Sequence, residues 1–502
     1  MTFLDWVQLI VWDYMWGTPL IVIVLGTGAL LTVKSGFFQF RYLGHALKKA
    51  VQHFFDKDAH SSEDGVVSPL QAMSVAIGTT VGVGNIGGVA TAIAFGGPGA
   101  IFWMWVAGLT GQIVKMTEIT LAVHYRSRNK DGTAYGGPTY YMRKGLGVEH
   151  KWARLAKGLS LIFGFGIFMG SIINIQTYTV SEAIAGTFDF NLVAVALVYT
   201  VLIYVMTAGG LKGLGKIAGI MVPFMCLFYI GAGIYIILIN FEQLPHAFSL
   251  IFGSAFTGTA AAGCFAGAAF SQAIKGGMAR SVFSNEAGWG TAPMVHASAK
   301  VDHPVKQGIL GVFEVFVDTL LICTITALVI IVTGQWNSGL DGATLTLSAF
   351  ETGIGSTGRI VLAIATFLFG VTTSTGMFAQ IEVILRHIIG ENAKKDTILK
   401  IYKSVYPLPA LALVLIAVYY QFPGTVVWVF SDASTALPIF ANLVTLWLLS
   451  PKFIELLKDY KARYMGIGKV DPGFKVFYED KVGENPHKVR VSGDILTDET
   501  SG

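Results

Sequence analysis

The sequence predicts an all-α polytopic membrane protein, and three observations predict it. Of the 502 residues, 53% are hydrophobic and only 13% are charged, where a soluble domain carries about 25% charged residues. The charges are clustered between long apolar runs, the arrangement of serial membrane spans rather than of one soluble core. Mean hydropathy is +0.61, and the 59 glycines suit membrane helices, which tolerate Gly and use it for close packing.

Eleven hydrophobic segments follow in order, near 16–33, 66–95, 98–124, 158–184, 190–210, 216–240, 256–283, 307–334, 357–386, 404–421 and 423–450. Each reaches the length of about 20 residues that a bilayer crossing needs. Setting the first aside leaves ten core spans, numbered one to ten below. The chain then divides into an extra helix and loop (1–65), a first five-helix repeat (66–240), a second (241–450) and a polar tail (451–502) that reads as a cytoplasmic extension.

Basic residues set the expected orientation. Thirty-three of the 35 Lys and Arg fall in six segments on one side: 34–65, 125–157, 211–216, 275–306, 386–403 and 451–502. Lys115 lies inside a span and Arg359 at the outer end of another. This asymmetry predicts an outside N-terminus and a cytoplasmic C-terminus in the cell (plasma) membrane. Asp5 and Asp13 precede the first apolar run without a basic region, unlike a cleaved signal peptide.

Two core spans are unusual as helices. Span one contains Gly-Thr-Thr-Val-Gly-Val-Gly-Asn-Ile-Gly-Gly at 78–88, and span six carries Gly258, Gly263, Gly267, Gly276 and Gly277. Each Gly costs a helix about 1 kcal/mol relative to Ala, so such clusters unwind a helix unless they serve small-residue packing. Spans one and six are the first members of the two five-helix halves, and by parity they start on opposite sides of the membrane. That is the pattern of an inverted repeat with its site between two discontinuous helices.

Other functions lack their residues. Cys226, Cys264 and Cys323 lie in apolar runs without a CxxC pair, so neither a disulfide framework nor a zinc site is expected. The Gly-rich string lacks the Lys-Ser/Thr of a phosphate loop, and no prosthetic-group motif appears. His45, His124, His296, His303 and His387 sit at loops and span ends, no HExxH or nucleophile–base motif is present, and the chain is not expected to be an enzyme. A channel lacks its charged or carbonyl-lined filter motif, and the featureless tail speaks against a sensor. The net charge of +4 is explained by the loops and gives no reason to expect nucleic acid. Lipid and a small solute are the expected partners, with no obligate protein partner visible.

Four strings carry a family resemblance: GGPGAIFWMWVAG at 96–108, GGPTYYMRKGLG at 136–147, SNEAGWGTAPMVHASA at 284–299 and FEVFVDTLLICTITALV at 313–329. They resemble the alanine or glycine:cation symporter family, over residues 16–450. The resemblance implies eleven helices in a LeuT-type five-plus-five fold, and sodium-driven uptake of alanine or glycine, with protons as a substitute cation. Uptake of a larger neutral amino acid such as glutamine, or a facilitator or sensor built on a transporter core, is the alternative.

By that analogy the N–H groups around Gly82 and Gly84 meet the substrate carboxylate, with side-chain oxygens from Thr79, Thr80 and Asn85. Asn85 equally suits a cap for the second half-helix. From span six, Phe265 and Phe270 would wall the pocket, or simply pack, and Ser271 and Gln272 would bond polar groups. Gln176 in span three would bond the substrate or a neighbouring helix, with Asn174 beside it in the same uncharged run. The cation would take carbonyls of Gly78, Val81 and Gly370 and hydroxyls among Thr372, Thr373 and Ser374, unless these bond back to their own helix.

Asp318 lies deep in span seven, where an ionisable group is costly and a functional role is the default. It would couple to the ammonium, the cation or a proton, or pair with a broken helix; Glu314 lies one turn nearer the cytoplasm on the same face. Lys115 and Glu118, three apart, are expected to pair with each other. The stretch 284–299 is expected to form a capped turn and short helix on the cytoplasmic side below the site, with His296 able to titrate.

Overall fold

The computed structural model describes residues 6, 9–55, 68–128, 134–208, 210–257, 266–389, 394–422 and 424–481. It is helical almost throughout, apart from one two-stranded ribbon, β1 (Ser127–Arg128) and β2 (Ala134–Tyr135), paired antiparallel. Helix α1 (Thr18–Lys34) is the extra helix, and α2 (Leu43–Phe55) follows it. Helix α3 (Pro69–Thr80) starts on a capping box: Ser68 accepts from the Gln71 N–H and Gln71 accepts from the Ser68 N–H. After a break, the π-helical turn Gly84–Gly88 runs into α4 (Val89–Gly96). The two halves are bent by 44°.

Next come α5 (Gly99–His124), α6 (Ala153–Ile173), α7 (Gln176–Phe188), α8 (Leu192–Ala208), α9 (Gly210–Ile239) and α10 (Leu244–Thr257). In the second half, α11 (Ala266–Asn285) and the short α12 (Ala292–His296) flank a second break. Helix α13 (Pro304–Val315) continues through a π-helical stretch, Phe316–Cys323, into α14 (Thr324–Val332). Then follow α15 (Gly342–Ile354), α16 (Ser356–Ile389), α17 (Lys395–Val405), α18 (Leu408–Tyr419) and α19 (Gly424–Met465).

Among the described residues, six helices are long and apolar enough to cross a membrane, and the bent pair α3–α4 makes a seventh; α1 and α8 are shorter apolar helices. Exposed Leu161, Phe165, Val198, Val201, Val205, Phe224 and Leu227 form outward apolar faces that only lipid would satisfy. The halves pack crosswise, α3 against α12 and α4 against α11, with α5 running along both parts of the second broken helix and along α13.

The structure corrects one expectation about a span end. Helix α19 does not stop near 450 but runs to Met465, and the segment after it folds back: the Tyr478 N–H donates to the His124 carbonyl at 3.0 Å and the Arg126 guanidinium lies 4.4 Å over the Phe477 ring. Lys275, counted with the segment 275–306, pairs with Asp13 at 2.9 Å, close to the start of α1.

Candidate functional site

The first break begins where Val81 leaves the helix at φ −74° and ψ 94°. Asn85 closes it, accepting the Gly82 N–H on Oδ1 at 2.8 Å. A Cβ on Gly82 would lie 2.4 Å from Thr373 Oγ1, so only glycine lets α16 approach the break this closely. Beyond the break, Val83 and Gly84 open the second half-helix, whose first N–H groups have no intrahelical partner.

The second break spans Glu286 to Thr291, with Glu286 at φ 56° and Gly288 and Gly290 at φ 85°. The positive φ values end α11 in a way glycine adopts readily. A buried polar shell holds the unwound backbone. Lys115 Nζ donates to the Asn285 carbonyl at 2.7 Å. Glu118 accepts from the Gly288 N–H at 3.4 Å and from Asn442 Nδ2 at 2.9 Å, and Asn442 Nδ2 also donates to the Gly288 carbonyl at 2.9 Å. Asn285 accepts the Ala287 N–H on Oδ1 and donates to Ser281 and Thr319, and Thr291 donates its hydroxyl to Glu286.

Between the two breaks lies a small cavity lined by Thr79, Thr80, Gly82, Val83, Gly84, Gln176, Phe283, Glu286, Trp289, Thr373 and Met377. Gln176 reaches it because α6 and α7 are separated by a kink at Asn174, φ −4° and ψ 82°. Among the described residues, Gln176 Oε1 and Trp289 Nε1 are buried without a hydrogen-bond partner. A buried unpaired polar atom is costly, so one free acceptor and one free donor mark the cavity as a place for a polar solute. Phe283, Trp289 and Met377 give it an apolar wall.

A buried bidentate ion pair lies near the cavity wall. Arg280 Nη1 and Nη2 meet Asp432 Oδ1 and Oδ2 at 2.5 and 2.8 Å, and the guanidinium lies 4.8 Å over the Trp428 ring. Both partners are buried. Phe283 stacks edge-on against Trp428 at 5.1 Å, directly joining this pair to the cavity wall.

Of the residues named from sequence, the cavity brings together Thr79, Thr80, Gly82, Gly84, Gln176 and Thr373. Several expectations are corrected. The Gly82 N–H is taken by Asn85, so it is not a free anion donor. Asn85 turns away from the cavity to Asp318 and Cys323, acting as the break's cap. Of the run expected to hold the second break, Gly258 and Gly263 lie outside the described residues; from Ala266 to Asn285 α11 is continuous, and an unwound turn follows at Glu286–Thr291. Gln272 therefore lies fourteen residues above the turn, about 20 Å along the helix. Phe265 lies outside the described residues, as do the side chains of Phe270 and Ser271.

Among the hydroxyls of α16, Thr373 donates to the Gly78 carbonyl at 3.3 Å. Thr372 faces the same helix, its Cβ 3.4 Å from where a Gly78 Cβ would stand, and its hydroxyl bonds back to Phe369 and Leu368. Ser374 points the opposite way, to Tyr199 at 3.0 Å and Asn174 at 3.3 Å, and Gly370 faces Val180 and Tyr199. Lys115 and Glu118 do not pair with each other; both serve the second break. Glu286, Phe283, Trp289 and Met377 were missed. The signal for two of them, Glu286 and Trp289, was the Glu-Ala-Gly-Trp-Gly turn itself, placed below the site rather than in it.

The profile of the sodium:alanine symporter family matches residues 1–472. The chain is 36% identical over 466 residues to the sodium/alanine symporter AgcS of Methanococcus maripaludis, covering 91% of this chain and 98% of the relative. It is 35% identical over 469 residues to the probable sodium/glutamine symporter GlnT of Bacillus subtilis, covering 93% and 92%. The crystal structure of MhsT in complex with L-phenylalanine superposes with a TM-score of 0.54 at 13% identity, covering 79% of this chain and 99% of that one, which establishes a LeuT-type fold.

Proposed function

The chain belongs to the sodium:alanine symporter family, and from that premise we propose that it couples inward sodium movement to uptake of a small neutral amino acid such as alanine or glycine. It is a membrane transporter and not an enzyme. The observation that carries the finer reading is the cavity between the two breaks, with unpaired Gln176 Oε1 and Trp289 Nε1 and the Glu286 carboxylate on its wall.

A zwitterion fits that chemistry. Its carboxylate takes the N–H groups of Val83 and Gly84, at the positive end of the half-helix, with Thr79, Thr80 and the Trp289 indole N–H beside them. Its ammonium takes Glu286 and Gln176 Oε1. The apolar wall of Phe283, Trp289 and Met377 suits a short apolar side chain. This favours alanine or glycine over glutamine.

The cation takes the Gly78 and Val81 carbonyls with the Thr373 hydroxyl, neutral oxygens suited to a hard monovalent cation. Thr373 touches both Gly78 and Gly82. One side chain thus joins the cation end of α3 to the substrate end of the break, which gives both solutes a shared conformation to favour. Eleven crossings with the N-terminus outside make Arg280–Asp432 the outer closure and the α3–α12 side the inward path.

Proteoliposome uptake tests this, with sodium and proton gradients imposed separately across alanine, glycine, serine and glutamine. The expected result is saturable, sodium-driven accumulation of alanine or glycine. Accumulation indifferent to both gradients, or glutamine outcompeting alanine, would overturn it.

A further inference from the structure

Both parts of the second broken helix are gripped by one ionic chain on neighbouring helices. Lys115 on α5 is fully buried; its Nζ donates to the carbonyl of Asn285, the last residue of α11, at 2.7 Å. The same Nζ lies 3.8 Å from Glu314 on α13. Glu314 in turn meets His296 Nε2 at 2.6 Å, and His296 is the last residue of α12. Gln307 on α13 bonds His296 Nδ1 at 2.7 Å. Between these anchors, Glu118 holds the Gly288 N–H from the turn of α5 next to Lys115.

We propose that Lys115 and Glu314, through His296, form a bridge across the second break that fixes the angle between α11 and α12 and so positions Phe283, Glu286 and Trp289 around the amino acid. Three physical points support it. A cation at a helix C-terminus stabilises the free carbonyls, and Lys115 does so at the residue directly before Glu286. An unwound turn has no internal ladder to hold its geometry, so its shape is set by external partners. And the site is close-packed at this point: a Cβ on Gly311 would lie 2.9 Å from Lys115 Cγ, so the lysine stem has one place to go.

The bridge touches neither the cavity nor the cation candidates on α3 and α16. Lys115 and Glu314 are therefore positioning residues for the amino acid rather than ligands. The inference rests on the symport reading above. Lys115→Met keeps the stem and removes the charge. It leaves Glu314 buried beside His296 without its cation, which is strongly unfavourable, while Lys115→Met with Glu314→Gln removes both charges.

The test reads alanine KM in proteoliposomes, and sodium binding by calorimetry without amino acid. Lys115→Met is expected to raise KM by about tenfold or more, the scale of one lost buried charge-assisted bond, with sodium binding unchanged. The double variant is expected to recover part of that loss. An unchanged KM, or sodium binding weakened in proportion, would overturn the bridge, as would a double variant no better than the single one. If Lys115→Met does not accumulate as folded protein, Glu314→Gln and the double variant decide: the double must transport with raised KM and intact sodium binding. Failure of the unaltered protein to couple uptake to sodium would instead refute the symport reading.

Discussion

Asn85 donates its amide to the Asp318 carboxylate at 2.6 Å, and through this bond the cap of the first break is tied to the middle of α13–α14. The same carboxylate accepts the Ser284 hydroxyl at 3.1 Å and the Thr319 hydroxyl at 2.8 Å. Ser284 stands two residues before the second break. Asp318 therefore joins both broken helices, with three donors directed at two oxygens.

Asp318→Asn tests this junction. The substitution keeps the shape but turns one acceptor into a donor that faces existing donors. Bonds to a charged group contribute about 1.5–3 kcal/mol each, so losing one and creating a donor clash should reduce transport by about a hundredfold. Initial uptake rate, normalised to protein in the vesicle, is the measurement. A variant within threefold of the parent would show that the carboxylate does not hold the junction.

Thr373 and Ser374 are neighbours in sequence with opposite expectations. Thr373 reaches Gly78 on the broken helix, while Ser374 bonds Tyr199 and Asn174 away from it. Thr373→Ala should abolish sodium stimulation of alanine uptake in reconstituted vesicles. Ser374→Ala should leave the half-saturating sodium concentration within about twofold, since its hydroxyl serves a helix contact of about 1 kcal/mol. Unchanged sodium dependence in Thr373→Ala would remove the cation from this place.

These contrasts show where the sequence was readable. The first break was legible because Gly82, Gly84 and Asn85 combine helix-breaking residues with a cap inside four positions. The turn at Glu286–Thr291 was passed over because glycine density has two causes. In α11, Gly276 and Gly277 sit against Phe95, Ala100 and Trp103; a Cβ on Gly277 would lie 2.2 Å from the Ala100 carbonyl oxygen. These glycines serve close helix packing, and the helix stays intact through them. The unwinding falls where two glycines adopt positive φ beside Glu286. Lys115 and Glu118 were misread for a different reason: on an isolated helix they would pair, but tertiary partners on the second break claim both.

His303 gives a pH prediction outside the spans. Its Nδ1 accepts the Val305 N–H at 3.1 Å, capping α13, and its Nε2 meets Asp459 at 3.2 Å. Burial pushes the imidazole down to about 4, against the upward pull of Asp459; protonating Nδ1 would also set its N–H against that of Val305. The unfolded chain binds this proton near 6.5 and the folded one only near 4. Between those values the unfolded state holds more protons, so stability rises with pH across the window and is lost as pH falls through it. The full swing is about 3 kcal/mol at 1.36 kcal/mol per unit. His303→Asn keeps a capping acceptor and removes the titration. Thermal unfolding of the detergent-solubilised protein should therefore show the parent losing more stability than His303→Asn between pH 7 and pH 4. Parallel curves for the two proteins would mean that His303 is not held neutral at this junction.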